Sequence, residues 1–222
     1  MLNINHDYKS PNYANEIIKP EYVVLHCMCM TDTQALEFLC AEENGVSAHY
    51  YIGRDGQVYN LVDDNKKAWH AGNSHWKDIE HLNPHSIGIE LGNDGELKEG
   101  EWGGELAYND AQYESLILLL KDIQKRYDIK NDNIIAHSDI APERKTDPGM
   151  YFDWAKLNQA GFDTDFKCTT TDCKQALADF GYNLNYDINA VTASFQRRFL
   201  PHNITGVFDE VTKDFIKSKV QS

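Results

Sequence analysis

At 222 residues and 41% hydrophobic composition, the chain has room for one large domain, or a main domain with a small appendage, around a sizeable core. Its 21 basic against 35 acidic residues give a formal charge of −14, which argues against a nucleic-acid or anionic-membrane partner, since both draw on clustered Lys and Arg. No run reaches the ~20 apolar residues of a bilayer span and the N-terminus lacks the apolar core of a secretory signal, so no transmembrane segment is expected.

Residues 1–20, rich in Asn, Tyr and Pro without periodicity, are expected to drape over the surface. The first core strand is the apolar run Tyr22, Val23, Val24, Leu25, which ends on His26. Thr31 to Gln34 has capping-box spacing, and Leu36, Leu39 and Cys40 share a helical face, so a short helix should follow and stop by Asn44-Gly45. Residues 47–62 alternate around Arg54-Asp55-Gly56 and predict a hairpin, with His49 read as a core histidine.

Trp69-His70-Ala71-Gly72, followed by His75 and Trp76, combines aromatic and small residues in a stretch with neither strand nor helix period. Indole faces suit sugar rings or a peptide flank, so it reads as a groove wall; Trp76 reads equally as a loop anchor tucked onto the core. Residues 86–91 form an apolar strand carrying one acid, Glu90, on the face shared with Ser86 and Gly88. A carboxylate there is costly unless it serves a cleft or a metal, which favours a general base over a surface glutamate. Residues 94–108 read as a solvated loop on the rim of the cleft, and Asn109-Asp110 caps a helix to about Tyr127 whose apolar stripe is core material.

The densest chemistry lies in residues 133–149. Ile134 and Ile135 end a buried strand, His137 follows at its tip, and Pro142, Pro148 and Gly149 keep the segment from continuing as a helix, so Asp147 can fold back towards His137 with Lys145 beside it. An imidazole and a carboxylate need a third ligand to make a catalytic metal site. His26, at another strand end, is the best candidate, with His70 as its competitor. Two nitrogens and one oxygen with an open position suit Zn2+.

Residues 163–171 suit a linker, and residues 173–180, 191–199 and 211–216 show helical spacing, giving a small three-helix unit. Five cysteines leave at least one unpaired. Cys27 and Cys29 alternate away from His26 and read as packing residues, whereas Cys168 and Cys173 fit either a bridge or two thiols.

Taken together, Val24-Leu25-His26, Ser47 to Ile52, Trp69-His70-Ala71-Gly72, Ser86 to Leu91 and His137 to Pro142 with Arg144 to Gly149 resemble the zinc-dependent N-acetylmuramoyl-L-alanine amidases, related in fold to T7-type lysozyme and peptidoglycan-recognition proteins. The resemblance implies an α/β fold with a central mixed β-sheet flanked by helices, and a catalytic domain over 1–162. It implies metal ligation by His26, His137 and Asp147 and catalysis by Glu90 and Lys145, with Trp69, His70, Ala71 and Arg144 facing the substrate. Residues 163–222, through Gly181-Tyr182, Thr192 to Gln196 and Gly206 to Asp209 with Thr212, resemble a peptidoglycan-binding three-helix domain, although Tyr186 to Asn189 depart from the usual Asp-Gly; a stabilising or dimerising cap is the alternative.

The implied partner is peptidoglycan or its muropeptides, the implied activity hydrolysis of the bond between N-acetylmuramic acid and L-alanine. The implied compartment is the periplasm or outer membrane, with the cytoplasm as alternative. Restriction to soluble anhydro-muropeptides, non-catalytic muropeptide recognition and stem-peptide endopeptidase action are the competing functions.

Overall fold

The computed structural model describes residues 2–93 and 107–221, so most of the solvated loop expected over residues 94–108 lies outside the described residues. Among the described residues ten short strands are present: β1 (Ile4–Asn5), β2 (Tyr13–Ile17), β3 (Tyr22–Met28), β4 (Tyr50–Ile52), β5 (Val58–Asn60), β6 (Lys66–Ala68), β7 (His75–Trp76), β8 (Ile79–Glu80), β9 (Ser86–Gly92) and β10 (Ile134–Ala136). Among them run helices α1 (Asp32–Cys40), α2 (Asp110–Tyr127), α3 (His137–Ile140), α4 (Trp154–Gln159), α5 (Cys173–Phe180), α6 (Ile188–Phe199) and α7 (Glu210–Ser218). Six strands make one mixed sheet in the order β1-β5-β4-β9-β3-β10. No described helix is long and apolar enough to cross a membrane.

Local chemistry sets the element ends. Thr31 accepts from the Gln34 amide and Gln34 returns the bond, and Asn109 and Gln112 repeat the device at the start of α2. A turn over Glu42–Asn44 closes on Gly45 at φ 60°, which stops the chain after α1 as expected. The hairpin forms with Ile52 opposite Val58.

The central strands β9, β3 and β10 run parallel and are covered on both sides, which is why they are continuous apolar runs rather than alternating ones. On one face Val23, Leu25, Ile87, Ile89, Leu91, Ile134 and Ala136 pack against Leu116, Leu119, Leu120 and Ile123 of α2. On the other, Val24 and Ile135 join Ile140, Trp76, Phe166, Leu177, Phe195 and Ile216, so α5–α7 share a core with the sheet.

Two expectations change. Residues 1–20 do not simply drape: β1 pairs with β5 and β2 with β6, both through partners some fifty residues away that local periodicity does not register. The expected linker is anchored too. Phe166 within it and Phe162 just before it are buried in the two cores, and Arg198 of α6 donates to the Thr164 carbonyl. Cys168 and Cys173 stand as separate thiols whose sulfurs face the carbonyls of Ile216 and Lys213.

Candidate metal centre and cleft

Register builds the site. Leu25 pairs with Ala136 and His26 with Glu90, so His26, Glu90 and His137 reach the same level at the carboxyl ends of three adjacent parallel strands. This is where open α/β sheets bind ligands. All three extend the second-core face, where the apolar series Tyr22, Val24 and Ile135 gives way to polar side chains.

The Ser138 amide donates to the Asp147 carbonyl at 2.9 Å, which folds the 141–149 loop back over α3. Asp147 Oδ2 then lies 3.2 Å from His26 Nδ1 and 3.0 Å from His137 Nδ1, and the two imidazole nitrogens are 2.9 Å apart. One ligand atom from each of His26, His137 and Asp147 falls within 4.8 Å of the others, and all three residues are buried. Two imidazole nitrogens and a carboxylate oxygen converging on one point fit a catalytic zinc-type ion with a position left for a reactant. Burial and the neighbouring His137 push His26 down to about 4, so its ring is neutral at pH 7, the form that ligates metal. Burial alone would raise Asp147; the imidazoles beside it, His137 first and then His26, hold it well below the ordinary carboxylate range.

The Trp69 to Gly72 segment supplies the next layer. His70 does not join the convergent group: its Nδ1 lies 3.0 Å from His26 Nε2. Its Nε2 lies 3.4 Å from Ser86 Oγ, which donates to the Leu82 carbonyl at 2.6 Å. Read from the carbonyl back, the chain has one consistent assignment: His26 Nε2–H donates to His70, His70 Nε2–H to Ser86, and His26 Nδ1 keeps its lone pair for metal. Gly88 makes room for it, since a Cβ there would meet the His70 ring at 2.4 Å. His137 is held likewise, its Nε2 lying 3.2 Å from the Ala71 carbonyl. Arg144 also donates to that carbonyl and, from Nε at 3.0 Å, to the Asn73 carbonyl. His70→Phe, which keeps a ring but no nitrogen, should therefore weaken metal binding about 10–100-fold, read by chelator competition.

Glu90 is buried in the cleft, and its Oε2 has no hydrogen-bond partner among the described residues. Burial first, then Asp147, pushes its carboxyl well above the ordinary range against the pull of Lys145. Lys145, Trp69, His70, Glu90, His137 and Asp147 line a single cleft of about 320 Å³. Trp69 is 36% exposed on its wall, whereas Trp76 is fully buried, edge-on to Phe180 and Tyr182, and serves as an anchor rather than a groove wall. His49 is a core residue: its Nδ1 accepts from the Gly88 amide and its Nε2 lies 2.9 Å from the Lys66 carbonyl.

Cys27 and Cys29 also reach the cleft wall, with their sulfurs 3.2 Å apart, although Cys27 packs against the α2-side core as alternation predicts. Sequence reasoning missed Ser86 as the end of the His70 chain. Its position two residues before Gly88 and four before Glu90, on the same strand face, was the available signal.

The profile of the N-acetylmuramoyl-L-alanine amidase family matches residues 17–150, more than half of the chain and all of the cleft residues. The chain belongs to this amidase family. The amidase is 35% identical over 197 residues to N-acetylmuramoyl-L-alanine amidase AmiD of Escherichia coli (strain K12), covering 76% of this chain and 71% of that one. It is 46% identical over 113 residues to the 1,6-anhydro-N-acetylmuramyl-L-alanine amidase AmpD of Enterobacter cloacae, covering 51% of this chain and 56% of that one. Among solved structures, E. coli AmiD in complex with the substrate anhydro-N-acetylmuramic acid-L-Ala-D-gamma-Glu-L-Lys aligns with a TM-score of 0.77 and 30% identity over 93% of this chain and 91% of that one. The amidase is thus an enzyme of a metal-dependent family, and its histidine–histidine–aspartate group is the site at which a metal fits.

Proposed function

We propose that this amidase is a zinc enzyme that hydrolyses the amide bond between the lactyl carbonyl of N-acetylmuramic acid and the amine of L-alanine in peptidoglycan. The observation that carries the reading is the convergence of His26, His137 and Asp147 beside a buried Glu90 that keeps one oxygen unpaired. Zinc held by the three donors supplies Lewis acidity, polarising the amide carbonyl and acidifying a water.

Glu90 takes the water's proton and delivers it to the departing amine nitrogen, a double duty that its raised carboxyl pKa suits. Lys145, on the cleft wall, donates to the carbonyl oxygen as it gains negative charge. Trp69 offers an exposed indole to a sugar ring or peptide flank, and Arg144 fixes the 71–73 loop beside it. The chain divides into a catalytic part over 1–162 and a wall-directed three-helix part over 163–222, which suits work in the periplasm or at the outer membrane. Soluble anhydro-muropeptides are the second reading, favoured by the substrate in the AmiD complex.

Purified sacculi digested with and without a chelator test the proposal. Stem peptides beginning with free L-alanine should appear, vanish with chelator and return with zinc. Fragments cut at another bond, or release indifferent to chelation, would overturn it. Equal or faster turnover of a soluble anhydro-muropeptide selects the second reading. Lys145→Ala should cost about 10²-fold in kcat with metal content unchanged.

A further inference from the structure

Asp139 stands two residues beyond His137, on the one-turn helix that His137 begins, and its carboxylate is sealed from solvent. Four groups donate to it: the Ala136 amide at 3.0 Å, Tyr182 Oη at 2.6 Å, Ser194 Oγ at 3.3 Å and, as an ion pair, Arg198 Nη1. Among the described residues, only the first of these comes from the catalytic part. Arg198 Nη2 also donates to the carbonyls of Ile134 at 3.3 Å and Thr164 at 3.0 Å, and its guanidinium lies 4.0 Å over the Trp154 ring. One arginine of α6 thus grips residues 134–139 at both ends, and the ligand His137 lies between its two holds.

A buried carboxylate is tolerated only while its charge is matched and its lone pairs are filled. Here that match comes from α6 and from the Tyr182 turn before it, so the three-helix part cannot loosen without freeing the turn that aims His137. A wall tether alone has no use for this arrangement; an anchoring domain works on a flexible linker, whereas here the junction is a continuous core.

We propose that Arg198 and Tyr182 are positioning residues of the amidase centre: through Asp139 the three-helix part holds the His137 turn in its metal-binding geometry. The inference rests on the amidase reading above for its catalytic consequence, but not for its effect on metal affinity. It extends the role of the three-helix part to substrates too small to span both cleft and module.

Full-length Tyr182→Phe and Arg198→Lys, with the paired Asp139→Asn/Arg198→Gln, test it against the unaltered protein. Metal affinity by chelator competition should fall about tenfold in the single variants. On a soluble muramyl tripeptide kcat should fall about tenfold with KM within about twofold, and the loss on sacculi should be by the same factor. Circular-dichroism melting establishes that each variant is folded at the assay temperature. Tyr182→Phe, which removes a single hydroxyl, keeps the test open if the arginine variants do not fold. Unchanged metal affinity and unchanged tripeptide turnover, with loss confined to sacculi, would overturn the proposal and leave a tether only. If the unaltered protein released no peptide from either substrate, the amidase reading would fail, while metal affinity would still decide whether the brace exists.

Discussion

Glu90→Gln should lower kcat/KM by about 10²–10⁴-fold while the protein keeps its metal, because glutamine preserves the shape of the side chain and removes its ability to accept a proton. The residue is buried, level with His26 across β3 and β9, with Oε2 unpaired among the described residues. Burial and Asp147 raise its pKa well above that of an ordinary carboxyl in the metal-free protein. The same shift acts on stability. A carboxyl whose folded pKa is raised leaves stability intact at acid pH and subtracts from it as pH rises through that pKa. In the metal-free protein Glu90→Gln should therefore melt higher than wild type near pH 8 and no higher near pH 4. A variant that kept near-wild activity, or lost its metal, would remove Glu90 from the mechanism.

Asp147→Ala should strip the site. Zinc sites in small peptides bind with roughly 10–16 kcal/mol, so losing one of three protein ligands should cost about 3–5 kcal/mol, or about 10²–10⁴-fold in affinity. Metal content after dialysis and chelator competition measure it directly, and activity should vanish in parallel unless excess zinc is supplied. The pH window follows from the ligands themselves. With His26 down at about 4 and Asp147 well below the ordinary carboxylate range, protons compete for these two donors only in acid, and native stability is lost as pH falls, first from 6.5 towards about 4 through His26 and then below the ordinary carboxylate range through Asp147. Full zinc retention in Asp147→Ala would mean that the aspartate is not a ligand.

Much of the site was legible because its residues sit where strand physics puts them. His26 and His137 each terminate an apolar, partly β-branched run and Glu90 interrupts one, so reading the strands placed all three at the edge of a core, while the family resemblance supplied their roles. The Pro and Gly residues after His137 announced a loop that could return Asp147 to it. Less legible was everything that depends on distant pairing. The Tyr13–Ile17 strand is defined by Lys66–Ala68, and nothing within residues 1–20 predicts it. Trp76 looked as ready for a sugar as Trp69 until Phe180 and Tyr182 closed over it. Asp139 read as one member of a motif, because its partners Tyr182, Ser194 and Arg198 lie 43 to 59 positions away. The polar run 163–171 resembled a linker because one phenylalanine among many polar residues carries little periodic signal, yet Phe166, like Phe162 just before the run, is buried.

The unbroken second core has a consequence for how such chains can be recombined. Val24, Ile135, Ile140 and Trp76 are covered by Phe166, Leu177, Phe195 and Ile216, so a gene fusion borrowing residues 1–162 alone would inherit a bare greasy flank beside its reactive groove. Exposed apolar area of that kind invites clumping. Swapping three-helix tails between enzymes of this design is therefore a repacking problem along an entire sheet face, and shuffling would succeed only where the incoming tail brings equivalents of both the aromatic cluster and Arg198.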